Sequence, residues 1–132
     1  MKDDVQKKIV QFQILEANLK VLQEREELIN ERLAEIENTK AAIEELKKTK
    51  PGKTLIPIGS GNFISGKIDD TEELIIGVGS GVAIKKKRED AAEILDSKFK
   101  EFEKDLNELR NQGTTIAFQL AKLQEEIEKS QE

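Results

Sequence analysis

The sequence predicts an α+β fold, mostly α, in which a long antiparallel helical coiled-coil hairpin carries two central β-hairpins. Three observations predict it. Leucine, isoleucine and phenylalanine recur at alternating three- and four-residue steps over two segments of nearly equal length. A block rich in β-branched residues and punctuated by glycine separates them. With 37% charged and 4% aromatic residues, the 132-residue chain is poor in the material of a compact core. High charge also suits a disordered chain, and the regular apolar spacing is what argues for order.

The first arm spans residues 3–49. Seven-residue steps place Leu15, Leu22, Ile29, Ile36 and Ile43 at heptad position d, with Phe12, Leu19 and Leu33 at a. Glu26 and Lys40 interrupt the a row, which disfavours tight parallel self-association and suits a seam with an irregular partner. Glu16 with Lys20, and Glu44 with Lys48, stand four residues apart in the favourable order. Asp3 followed by Gln6 is a candidate cap, Lys47, Lys48 and Lys50 suit the negative end of the helix dipole, and Pro51-Gly52 terminates the arm.

The second arm spans residues 88–131. Glu89 and Asp90 suit a helix N-terminus, and Asp90 with Glu93 has the spacing of a capping box. Leu95, Phe99, Phe102, Leu106, Leu109, Ile116, Leu120, Leu123 and Ile127 continue the four-and-three rhythm of a left-handed coiled coil. Gly113 falls on the a row, marking either a flexible point or a close helix approach. At 1.5 Å per residue, two arms of about 45 residues each extend roughly 65 to 70 Å, and their equal lengths suggest a hairpin.

The centre, residues 53–87, repeats itself. Ile56-Pro57-Ile58-Gly59-Ser60-Gly61 matches Ile76-Gly77-Val78-Gly79-Ser80-Gly81 at an offset of twenty. Strands are expected at 54–58, 63–68, 74–78 and 82–86. Gly59, Gly61, Gly79 and Gly81 supply positive φ at the turns, and Asp69-Asp70-Thr71-Glu72 forms a polar connection. Pro57 belongs on an edge or at a bulge because it donates no ladder hydrogen bond. Two isolated hairpins cannot bury Leu55, Ile56, Ile58, Phe63, Ile64, Ile75, Ile76, Val78, Val82 and Ile84 by themselves, so these ten residues are the candidate oligomerisation surface.

Composition removes several function classes. Cysteine and histidine are both absent, which takes away the commonest nucleophile, general base and transition-metal ligands. The expectation is no catalytic site, no metal, no cofactor and no enzyme. No apolar run is long enough to span a membrane, the first eight residues are polar rather than a leader, and a cytoplasmic location is expected. Twenty-two basic against 27 acidic residues give a formal charge of −5, opposite to the footprint of a nucleic-acid binder, and Lys85-Lys86-Lys87-Arg88 reads as an exposed strand end. Gly59-Ser60-Gly61 leads into another strand instead of a helix, so it lacks the geometry of a phosphate loop.

The N-terminal helix, the block Leu55-Ile56-Pro57-Ile58-Gly59-Ser60-Gly61-Asn62-Phe63, the block Val78-Gly79-Ser80-Gly81-Val82-Ala83-Ile84-Lys85-Lys86 and the C-terminal helix together resemble the α class of archaeal prefoldin subunits. The resemblance covers nearly the whole chain, as one prefoldin-like domain over residues 1–132. Its most specific part is the doubled hairpin, since the β class has one. It implies a hexamer of two α-class and four β-class subunits, with the hairpins joined in an oligomeric β-barrel body and six coiled coils protruding. It further implies an ATP-independent holdase that binds unfolded client proteins and delivers them to a group II chaperonin. The family also contains filament-forming relatives.

The arms agree with that expectation. Val5, Ile9, Val10, Phe12 and Ile14 point around more than one face of the first helix, more than a two-helix seam needs. With Phe118, Leu123 and Ile127 of the second arm they are the candidate client-binding residues. Phe12, Leu123 and Ile127 also satisfy the seam, which leaves Val10, Ile14 and Phe118 as the stronger candidates. A structural coiled-coil scaffold that binds one folded partner is the alternative reading.

Overall fold

The computed structural model describes residues 2–131, in the order α1 (Lys2–Leu46), β1 (Gly52–Gly59), β2 (Asn62–Ile68), β3 (Glu73–Gly79), β4 (Val82–Lys87) and α2 (Arg88–Ser130). This is the expected α+β class. The chain divides into two compact units, one comprising Met1–Ala34 with Lys100–Glu132 and the other Glu35–Phe99.

In the first unit, Leu22 and Leu106 are buried while Phe12, Leu15, Leu19, Ile29, Leu33, Phe102, Leu109, Ile116, Leu120, Leu123 and Ile127 are half-buried. The expected a and d rows therefore face each other. The interruption at Glu26 is answered across the seam, where Arg110 Nε donates to Glu26 Oε1 at 2.8 Å. Lys8, which takes a d slot, lies 3.6 Å from Glu126, so the start of α1 sits beside the end of α2 and the two run antiparallel. The helix continues unbroken through Gly113. A methyl group there would sit 3.7 Å from Leu19 Cδ1, an ordinary contact distance. Gly113→Ala is therefore expected to stabilise the helices by about 1 kcal/mol, the glycine penalty in a helix interior, seen as a raised midpoint in a thermal melt. A lowered midpoint would mean that the seam needs the backbone closer than the structure places it.

In the second unit, Ile36, Ile43 and Ala91 are buried. The other a-row interruption, Lys40, pairs with Asp96 at 2.6 Å, and its ammonium lies 5.7 Å from the centre of the Phe99 ring. The hydrogen bond with Asp96 is the main cause that raises the Lys40 pKa above the usual lysine value. The lysine side of the pair is thus fully charged at neutral pH, and its contribution fades only as pH rises through that raised pKa. Partly exposed pairs of this kind add little stability, and their larger effect is to favour one antiparallel register.

α1 ends at Leu46 instead of Thr49. The amides of Lys47, Lys48 and Thr49 donate to carbonyls three residues back at 3.2, 3.1 and 3.3 Å, so the last turn tightens beyond the helix. Lys47, Lys48 and Lys50 consequently follow the last helical turn, and Glu44 pairs with Lys47 at 2.9 Å in place of the expected Lys48. The two expected caps are also corrected. Asp3 and Asp90 lie inside the first turns of their helices, where acidic groups favour the dipole without capping. α2 follows β4 without a loop, and the Arg88 amide donates to the Glu72 carbonyl at 2.8 Å. Arg88 Nη1 donates to the Thr71 carbonyl and the Glu72 amide to Asp70 Oδ1, both at 2.8 Å, so the hairpin connection is tied to the start of α2 and satisfies its first amide through Glu72.

The two hairpins form separate two-stranded sheets, β1 with β2 and β3 with β4. Both repeat the same device. Ile56 opposes Ile64 and Ile76 opposes Ile84, each ladder shifts register just before the turn, and Gly59↔Asn62 or Gly79↔Val82 closes a two-residue loop. Ser60 and Gly61 have φ of 51° and 79°, Ser80 and Gly81 of 54° and 74°, the sign pattern of a type I′ turn. Pro57 stands beside the bulge, where the missing amide costs least.

Candidate interaction surfaces

Near the paired termini of the first unit the candidate residues separate into two groups. Val5, Ile9, Phe12, Leu123 and Ile127 are half-buried, and all but Ile9 occupy a or d positions of the seam. Val10 and Ile14 are more than half exposed, and Phe118 is 76% exposed at a position facing away from the seam. A phenylalanine left in water at that level forgoes much of the roughly 1.5 to 3 kcal/mol that full burial contributes. Two further exposed residues, Val21 and Leu28, were not among the sequence candidates. Their signal was present: with Ile14 they recur every seven residues on α1, outside the a and d rows.

In the second unit nine of the ten hairpin candidates are exposed, and Ile75 is 72% exposed. Adjacent residues of a strand face opposite sides, so Leu55 and Ile56, or Ile75 and Ile76, put apolar groups on both faces of one hairpin. A two-stranded ribbon with both faces apolar has nowhere to bury them within itself. Ile76 is the half-buried exception. It lines a pocket of about 310 Å³ with Leu74, Ile43, Ala91, Ile94 and Leu95, among others, between one hairpin and the adjoining helix segments. That pocket explains why Ala91 and Ile94 are shielded although they lie outside the a and d rows.

Among the described residues no group of three or more acidic, histidine or cysteine side chains is placed to hold a metal ion. No helix among them is long and apolar enough to cross a membrane.

Long helices paired antiparallel, with β-hairpins that leave most of their large apolar residues exposed, define a helical-hairpin protein whose working parts are surfaces. The chain belongs to the prefoldin family: the prefoldin subunit family model matches residues 4–132. It is 33% identical over 102 residues to prefoldin subunit alpha of Pyrococcus horikoshii, covering 76% of this chain and 69% of that one. Prefoldin subunit alpha of Thermococcus onnurineus is 38% identical over 94 residues, covering 70% of this chain and 64% of its own length. Among solved structures, a chain of filamentous PFD from Methanocaldococcus jannaschii superposes with a TM-score of 0.65 at 19% identity, over 96% of this chain and 99% of that one. The prefoldin beta subunit of Thermococcus strain KS-1 gives a TM-score of 0.66 at 18% identity, over 96% and 91%. At those identities the structural likeness establishes the fold.

Proposed function

We propose that the chain is the α-class subunit of a cytoplasmic, ATP-independent holdase that captures unfolded proteins at the ends of its helical arms and passes them to a group II chaperonin. The exposed residues Val10 and Ile14 on α1 and Phe118 on α2, toward the paired termini, carry this reading. Such residues bind a non-native chain through many weak apolar contacts, and several arms acting together give avidity without one tight site. The unburied hairpin faces, Leu55 and Ile75 among them, are the surface for β-class partners, in the proposed ratio of two α-class to four β-class subunits. The chain has no histidine or cysteine to serve a turnover mechanism, and capture needs none.

The test uses the chain assembled with a β-class partner, without nucleotide, and several unrelated denatured proteins. Substituting Val10, Ile14 and Phe118 together by serine is expected to reduce suppression of aggregation several-fold while leaving the mass of the assembly unchanged. Undiminished suppression would move capture away from these residues. No suppression by the unaltered assembly, combined with tight binding of a single folded protein, would favour a scaffold.

A further inference from the structure

We infer that the outward face of α1 is a helix-docking track, on which Val10, Ile14, Ala17, Val21 and Leu28 receive the apolar side of an amphipathic helix from a non-native protein. The inference rests on the holdase reading and names the kind of client segment that this face takes. All five residues are exposed. They follow one another by steps of four, three, four and seven residues, the rhythm of a coiled-coil seam. The true seam of α1 uses a and d, whereas these residues occupy c and f, about 150° away around the helix axis on a 3.5-residue repeat. α1 thus carries two apolar stripes, and within the first unit α2 covers one of them.

The spacing selects the occupant. Ile14, Val21 and Leu28 are separated along the axis by steps of about 10.5 Å at 1.5 Å per residue, and a second helix with heptad-spaced apolar residues repeats at the same interval. An extended segment presents the same face every ~6.6 to 6.8 Å and falls out of step after one contact. The flanks beside Val10, Ile14 and Ala17 are Gln6, Gln11, Gln13 and Asn18, all uncharged, whereas Lys20, Arg25 and Glu27 flank Val21 and Leu28. Charged flanks are what fix partner choice in a coiled coil, so amide flanks leave the choice open to many helices. The stripe is about 27 Å long, and at about 10 Å wide it covers on the order of 270 Å² per side, well under the ~800 Å² per partner of a stable interface. A transient client fits that size, and a permanent subunit or a second copy of this chain does not. Glu24 fills the one polar slot, between Val21 and Leu28.

Because the chain has no cysteine, a single Ala17→Cys substitution carrying a benzophenone reports on this face alone. The same label at Glu16→Cys, about 100° around the helix, is the control. The assembled complex is offered an amphipathic peptide of eighteen residues with heptad-spaced leucines, or a permuted peptide of identical composition without periodicity. Crosslinking at position 17 is expected to favour the periodic peptide by about fivefold, with no such preference at position 16. Adding Val21→Ser and Leu28→Ser should abolish the preference, with helicity and assembly mass retained. Equal yields for the two peptides at position 17, an unchanged preference in the double variant, or chain-to-chain crosslinks in place of peptide crosslinks would each overturn the track. Failure of the wild-type assembly to suppress aggregation is a separate readout and counts against the holdase reading itself.

Discussion

Truncating Leu106 to alanine is expected to lower the thermal midpoint of the helices more than any substitution on their outer faces. Leu106 is 6% exposed, and the other buried apolar residues among those described are Leu22, Ile36, Ile43 and Ala91. A buried leucine replaced by alanine typically costs about 2 to 5 kcal/mol, against a total stability of roughly 5 to 15 kcal/mol for an ordinary domain. A narrow seam has few neighbouring layers able to collapse into the cavity, which places the expected loss toward the upper part of that range. Phe118→Ala is the matched control. It removes a larger side chain, but one that is 76% exposed, and should change stability by no more than about 0.5 kcal/mol. Circular dichroism at 222 nm during heating, with both variants in the same assembled state, measures the difference. Equal midpoints for the two variants would show that the seam does not hold the arms.

Replacing Phe63 and Ile75 together by aspartate is expected to break the assembly while leaving the helices intact. Both are more than half exposed in the single chain, one on each hairpin. Each contributes up to about 1.5 to 3 kcal/mol if a partner buries it fully, and a carboxylate in the same place must lose water without gaining a partner charge. The two effects act in the same direction at two sites, so the double variant should run as small species. Native mass spectrometry reads the assembly, and far-ultraviolet circular dichroism reads the arms. An unchanged mass would remove the hairpins from the proposed interface.

Much of the fold was legible because the two kinds of element carry different local signals. The a and d rows of both arms identify themselves by their period, and the four strands by β-branched residues bounded by glycine turns, without knowledge of contacts. Turn chemistry was legible as well, since a left-handed backbone leaves glycine as the readable residue, although Ser60 and Ser80 share that conformation and gave no such signal. Element ends were read less well. Asp3 and Asp90 match a local capping pattern, but that pattern cannot report whether the helix starts earlier or whether a distant carbonyl supplies the partner, as Glu72 does for Arg88.

The candidate surfaces were legible in proportion to how far each residue departs from its element's apolar rhythm. Val10, Ile14 and Phe118 stand off the seam and are exposed, whereas Phe12, Leu123 and Ile127 satisfy it and are half-buried. Val21 and Leu28 obey a second rhythm that the first one masks.

Residue order alone was enough to specify two helices, four strands, their turns and the absence of thiol and imidazole chemistry, because each depends on neighbours within a few positions. Only the folded chain decided that Glu26 meets Arg110 and Lys40 meets Asp96, that Gly113 receives Leu19, and that Ile76 turns toward Ile94 and Leu95 while Ile75 does not share its burial. Those outcomes depend on the register of one helix against another and of a hairpin against helix segments. Register is set by the summed packing of many side chains that are distant in sequence, which no local pattern contains.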